Sequence, residues 1–197
     1  MTPEAALPAV ILLAAVLLGS IPSGILVARA WGLADPRTKG SGNIGAANMT
    51  RVGGWKAGAV TLVLDLMKGF APVFFLSRQE RFGALAVPVA LLLVVGHCYS
   101  VFLGGRGGKG VATGAGALFG IHPLVGAAAL ATWLAAFTAS RITSLSALIA
   151  VWAAPITLWT LGHSTWSILA TVAIALVVVR RHDENLRALL ENGERRF

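Results

Sequence analysis

The sequence predicts an all-α polytopic membrane protein of about seven transmembrane helices, some short or broken, with the N-terminus outside and the C-terminus cytoplasmic. Three observations predict it. Of the 197 residues 56% are hydrophobic and only 12% charged, about half the charge an ordinary soluble domain carries. The apolar residues come in long runs instead of a periodic stripe, which is the pattern of spans through lipid. Of the 16 Lys and Arg residues all but Lys68 lie outside those runs, as they do where membrane topology is set by positive charge.

The first run covers residues 5–28. No Lys or Arg precedes it and it is too long for a cleaved leader, despite the small-x-small shape of Ala28-Arg29-Ala30, so it reads as a span. Further runs follow at 57–76 and 82–102. Residues 110–140 are apolar but interrupted by Gly120 and by Ile121-His122-Pro123, where a split gives two shorter helices. The last runs are 142–160 and 165–179.

Charge fixes the count. Segment 29–56 holds Arg29, Arg37, Lys39, Arg51 and Lys56, and the tail holds Arg180, Arg181, Arg187, Arg195 and Arg196. Both belong in the cytoplasm, which requires an odd number of spans after an outside N-terminus. With seven spans, Arg106, Lys109 and Arg141 also fall inside, leaving 13 basic residues there against Arg78 and Arg81 outside. The fourth span is then short. Residues 1–197 read as one integral membrane domain, without an internal repeat. A net charge of +8 is explained by this bias and calls for no nucleic-acid partner. Cys98 is the one cysteine, so no intrachain disulfide forms, and it reads as a small buried hydrophobe.

Three polar clusters fall on the cytoplasmic side. The first runs from Lys39 to Arg51: Gly40, Gly42 and Gly45 permit turns that aim main-chain N–H groups at an anion. Ser41, Asn43, Asn48 and Thr50 add hydrogen-bonding groups, and Arg51 a planar fork suited to phosphate. The second runs from Gly104 to Thr113 into an apolar helix, and a glycine-rich turn at a helix start suits phosphate. It is not a nucleotide-binding P-loop, because Gly110 follows Gly108-Lys109 where Ser or Thr is needed, and Leu103 stands where the leading Gly belongs. The third follows the last span, where Leu186, Leu189 and Leu190 suit an interfacial amphipathic helix, with Asn192-Gly193 as a helix stop. His182 and Asn185, which share one face, are not needed for that. His97 reads either as a packed histidine or as a catalyst. Asp65 and Lys68, one helical turn apart within the second span, read as an internal ion pair or as a charge relay.

Taken together, these segments resemble the bacterial membrane acyl-phosphate:glycerol-3-phosphate acyltransferases, the PlsY family. The resemblance lies in Gly-Ser-Gly-Asn-Ile-Gly-Ala-x-Asn-x-x-Arg at 40–51, Asp-x-x-Lys-Gly at 65–69, Gly-His at 96–97, Gly-Gly-Lys-Gly-Val-Ala-Thr at 107–113, His-x-Glu-Asn at 182–185 and Glu194. Ala47, Arg106 and Ser100 depart from it, standing where Thr, Lys and Pro are frequent. The resemblance implies transfer of a fatty acyl group from acyl phosphate to the 1-hydroxyl of glycerol 3-phosphate, giving lysophosphatidic acid and phosphate, the first acylation of phospholipid synthesis. It implies a cytoplasm-facing site in a bacterial inner membrane and a soluble partner enzyme that makes the acyl phosphate. No CoA, metal or nucleotide is implied.

Under that reading substrate phosphates meet Ser41, Gly42, Asn43, Asn48 and Arg51 of the first cluster and Gly107, Gly108, Lys109, Gly110 and Thr113 of the second. His182 and Asn185 orient the glycerol hydroxyl, so that they act in catalysis with Ser41, Arg51 and Lys109. Asp65, Lys68, His97 and Glu194 support the site. The acyltransferase type that uses a His and an Asp separated by four residues is excluded, because Phe102, Ala127, Ile168 and Arg187 occupy the required position after each histidine. An anion transporter built on Asp65 and Lys68 is the rival from another class; the crowding of polar residues on one side argues against it.

Overall fold

The computed structural model describes residues 3–191, with side chains from residue 6 onward. Among the described residues there are ten α-helices and no strand: α1 (Pro3–Ser20), α2 (Ser23–Ala30), α3 (Ala46–Leu76), α4 (Ala86–Cys98), α5 (Val111–Ile121), α6 (Pro123–Ser140), α7 (Thr143–Ala150), α8 (Ala153–Thr160), α9 (Thr165–Arg180) and α10 (Asp183–Glu191). Each of the seven expected runs is helical. Four segments are long and apolar enough to cross a membrane on their own: Ala46–Leu76, Gly83–Leu103, Pro123–Ser140 and Thr143–Thr160. Two bent pairs are long and apolar enough when taken together, Ala6–Ser20 with Ser23–Ala30 at 47° and Thr165–Arg180 with Asp183–Glu191 at 58°. The seventh, α5, has 11 residues and rises only about 16 Å, roughly half the hydrocarbon thickness.

Three of the breaks have a chemical cause. Pro22 cannot donate a main-chain hydrogen bond, so the α1–α2 helix opens there and leaves carbonyls unused. Ser100 donates its hydroxyl to the Ser20 carbonyl at 2.6 Å and Lys68 donates Nζ to the Ile21 carbonyl at 2.8 Å. Those bonds let a broken backbone sit within the membrane. Gly54, at φ 80° and ψ 176°, interrupts α3 in a conformation open to glycine. Pro123 occupies the first turn of α6, where its missing N–H costs nothing, and the His122 Nδ1 accepts from the Leu124 N–H at 3.2 Å.

The bundle is centred on α4, which packs against α1, α3, α5 and α9, with Val89, Ala90, Leu93 and Val94 at most 2% exposed. The short α5 is held against α3 by glycines. A Cβ on Gly69 would lie 2.0 Å from the Thr113 carbonyl oxygen, and one on Gly116 would lie 2.0 Å from that of Leu66. The two backbones touch, as small residues allow in lipid. Large apolar side chains cover the outside, among them Leu13, Val63, Phe75, Leu134, Ile156 and Leu176. Exposed Trp31 and Trp55 lie toward one end, Trp159 and Trp166 toward the other, which is the placement of indoles at two membrane interfaces.

The connections stack the three polar clusters at one end of the bundle. The loop between α2 and α3, the loop between α4 and α5, the α6–α7 joint and the α9–α10 joint all contribute residues to one cavity.

Candidate active site

The α2–α3 loop is held open by its own polar residues. Asn48 is 1% exposed; its amide donates to the carbonyls of Pro36, Lys39 and Asn43 at 2.9, 3.0 and 2.8 Å, while its Oδ1 accepts the Ser41 N–H at 2.7 Å. The amide bonds within this segment, and Asn48 does not line the cavity. Asn48 shapes the loop instead. Gly42 turns the chain at φ 72° but also stays off the cavity wall. Ser41, Asn43, Thr50 and Arg51 line it, together with Gly40 and Gly45. At the outer edge of the loop, hydrogen bonds from Arg37 hold the Asp35 carboxyl down at about 2.

The α4–α5 loop departs further from expectation. The N–H groups of Gly107 and Gly108 donate to the carbonyls of Cys98 and His97 at 3.1 and 3.0 Å, so they fold the loop back on the end of α4 and do not face an anion. Their own carbonyls accept from Arg181, Nη2 to Gly107 at 3.0 Å and Nε to Gly108 at 3.1 Å. Thr113 is fully buried, with its backbone against Gly69, and does not line the cavity either. What reaches the cavity is Lys109, then Gly110 at φ 82°, then the first turn of α5 at Val111 and Ala112. The first intrahelical bond runs from the Gly114 N–H to the Gly110 carbonyl at 2.7 Å, so the amides before it are not used by the helix and carry the positive end of its dipole.

Across from these, α9 and α10 meet at His182, which is 2% exposed. Its Nδ1 lies 2.7 Å from the Val178 carbonyl. A carbonyl only accepts, so that nitrogen carries the proton and Nε2 is the basic one. Asn185 accepts from Lys109 Nζ, joining α10 to the glycine-rich loop. Arg181 also packs over Tyr99, 5.3 Å from the ring centre. Sequence reading gave Arg181 no role beyond topology, since the positive-inside bias accounts for any basic residue there. Only the bracing of Gly107 and Gly108 distinguishes it.

Behind the loops lie Asp65, Lys68 and His97, all largely buried. Lys68 Nζ is 2.8 Å from Asp65 Oδ1, and His97 Nδ1 is 3.6 Å from the same oxygen. The ammonium joins α3 to the open end of α1, which is the ion-pair reading of this motif. Asp65 and His97 reach the cavity wall and Lys68 does not. The His97 ring needs the glycine at 108, where a Cβ would lie 2.2 Å from its Nε2. Glu194 lies outside the described residues.

The cavity that joins these groups has a volume of about 850 Å³. Its mouth is polar, with Ser41, Arg51, Lys109, His182 and Asn185; the rest is apolar, with Leu66, Leu118, Phe119 and Trp133, and it opens past the exposed Leu62 and Leu130 to the outside of the bundle. Such a shape accepts a molecule with an anionic head and a hydrocarbon tail.

Comparison with known proteins agrees with that geometry. The family model for glycerol-3-phosphate acyltransferase matches residues 9–192. The glycerol-3-phosphate acyltransferase of Rubrobacter xylanophilus is 46% identical over 180 residues, covering 91% of this chain and 90% of that protein. That of Endomicrobium trichonymphae is 43% identical over 181 residues, with 92% and 91% covered. Among solved structures, the glycerol 3-phosphate form of PlsY (YgiH), described as an integral membrane glycerol 3-phosphate acyltransferase, superposes with a TM-score of 0.91 at 36% identity, covering 96% of this chain and 95% of that one.

Proposed function

We propose a specific reaction for this chain, which belongs to the glycerol-3-phosphate acyltransferase family: it moves a fatty acyl group from acyl phosphate to the 1-hydroxyl of glycerol 3-phosphate. The products are lysophosphatidic acid and phosphate. One observation carries the reading: a single cavity runs from a cationic mouth at Arg51 and Lys109 to an apolar interior at Leu66 and Phe119. Acyl phosphate has that same polarity, with a charged head beside the reacting carbonyl and a tail that leaves water. The similar solved protein exists in a glycerol 3-phosphate form and a lysophosphatidic acid form, which fits one site taking both acceptor and product.

In the proposed reaction, Ser41 and Arg51 hold the phosphate of glycerol 3-phosphate, while Lys109 and the first turn of α5 hold the phosphate of the donor. The glycerol oxygen bonds to the acyl carbon, its hydroxyl proton passes to Nε2 of His182 or to a substrate phosphate, the bond from that carbon to the phosphate oxygen breaks, and phosphate leaves with the bonding electrons. Because the donor is already a mixed anhydride, positioning and charge stabilisation replace an enzyme nucleophile. His182 and Asn185 orient the attacking hydroxyl, and the basic Nε2 of His182 suits that task. The donor reaches the bacterial inner membrane from a soluble enzyme that makes acyl phosphate, and the cavity faces the cytoplasm. The whole reaction belongs to one membrane domain.

The experiment is a donor comparison with purified protein and glycerol 3-phosphate. Acyl phosphate should give lysophosphatidic acid, and acyl-CoA of the same chain should not, since the loops suit small phosphate groups and offer nothing to the adenine end of CoA. Comparable kcat/KM with acyl-CoA would overturn the donor assignment.

A further inference from the structure

We infer that Phe119, seated on Gly126, is the floor of the acyl groove and sets the tail length this enzyme accepts. The inference rests on the acyl phosphate reading above and concerns its specificity.

Four helices that line the cavity end their contribution at one depth. Counted from the polar end, the last lining residues are Phe119 on α5, Ala129 on α6, Ala154 on α8 and Thr171 on α9. Beyond them the interior is closed: Val125 and Leu158 are fully buried and pack in one cluster with Leu118, Ala129 and Ala154. Three of the four residues at that depth have small or short side chains. Phe119 is the large one, and it is only half-buried, so its ring stands at the end of the open space.

What holds the ring there is a missing side chain. A Cβ on Gly126 would lie 2.4, 2.5 and 2.7 Å from Cγ, Cδ1 and Cδ2 of Phe119. The ring therefore lies flat on the α6 backbone, and any side chain at 126 must lift it. Its other face borders the groove, so lifting it raises the floor. From Ala112, beside the proposed donor phosphate, to Phe119 the helix rises about 10 Å, so the stop meets the tail of every long-chain donor and penalises most those that extend furthest past it. A hydrophobic pocket discriminates by about tenfold or more for a methylene group too many or too few, so moving the stop should move the preference by a similar factor.

The test uses purified protein in detergent with glycerol 3-phosphate and an equimolar mixture of lauroyl, palmitoyl and stearoyl phosphate, reading the lysophosphatidic acids by mass. Phe119→Ala should raise the stearoyl-to-lauroyl product ratio about tenfold, and Gly126→Ala should lower it. Phe119→Trp, which adds bulk at the ring and leaves Gly126 in place, should also lower it and stands in if Gly126→Ala fails to fold. Ratios within twofold of wild type in the variants that turn over, or shifts of opposite sign, would overturn the inference. Wild-type protein that used none of the three donors would instead overturn the donor assignment on which it rests.

Discussion

Arg181 donates from Nε to the Gly108 carbonyl at 3.1 Å, so the residue that closes α9 braces the loop that carries Lys109. The same guanidinium reaches the Gly107 carbonyl at 3.0 Å. Arg181→Lys keeps the charge but loses the planar fork. Each bond to a charged donor is worth about 1.5–3 kcal/mol. We expect kcat/KM to fall about tenfold in Arg181→Lys and further in Arg181→Ala, with the detergent melting temperature moved by only a few degrees. Full activity in Arg181→Ala would show that the loop holds itself.

Arg51 lines the polar mouth from the first turns of α3 and Lys109 from the α4–α5 loop. Loss of one charge-assisted contact should cost on the order of tenfold to a hundredfold in turnover. Arg51→Ala and Lys109→Ala are therefore expected to insert normally and lose most activity. Steady-state kinetics at limiting and saturating glycerol 3-phosphate check this, and near-normal rates in either variant would place phosphate elsewhere.

The buried Asp65–Lys68 pair predicts an asymmetry between single and double substitution. Removing one partner leaves an uncompensated charge, which costs about 3–5 kcal/mol in buried sites. Asp65→Asn should lower the detergent melting temperature markedly, and adding Lys68→Met should recover part of the loss. An Asp65→Asn protein as stable as wild type would mean that the Ile21 carbonyl alone suffices for Lys68.

Orientation is open to direct labelling. In a Cys98→Ala background, cysteines at Arg37 and Gly105 should resist an impermeant reagent applied to intact cells, and one at Gly162 should react. Reversal of that pattern would turn the protein over in the membrane.

The sequence made the spans legible because lipid tolerates few charges, and long apolar runs have no other soluble explanation. The split at His122-Pro123 was readable for the same reason, since a proline suits the first turn of a new helix. The opening at Pro22 was not, because the groups that satisfy it, Ser100 and Lys68, are distant in sequence. Glycine-rich loops revealed freedom of the backbone but not its direction. The amides of Gly107 and Gly108 turn toward α4, and it is α5 that presents unused N–H groups to the cavity. The bonds of Asn48 within its own segment were not legible either, because an amide bonds phosphate and backbone equally well.

The shortness of α5 bears on how the protein is made. A helix of 11 residues is too brief to be recognised and released into the bilayer by itself, and its carbonyl end would meet hydrocarbon before reaching the far surface. It is at home only between α3, whose backbone it touches through Gly69 and Gly116, and α6, which returns directly from it. During synthesis α3 emerges first and can wait, while α5 must enter as one arm of a hairpin with α6. We expect α5 alone, placed in a host protein that reports membrane integration, to fail to integrate, and α5–α6 to enter together. The groove would then be completed only after α5 and α6 have entered together, when α7 to α10 supply its remaining residues.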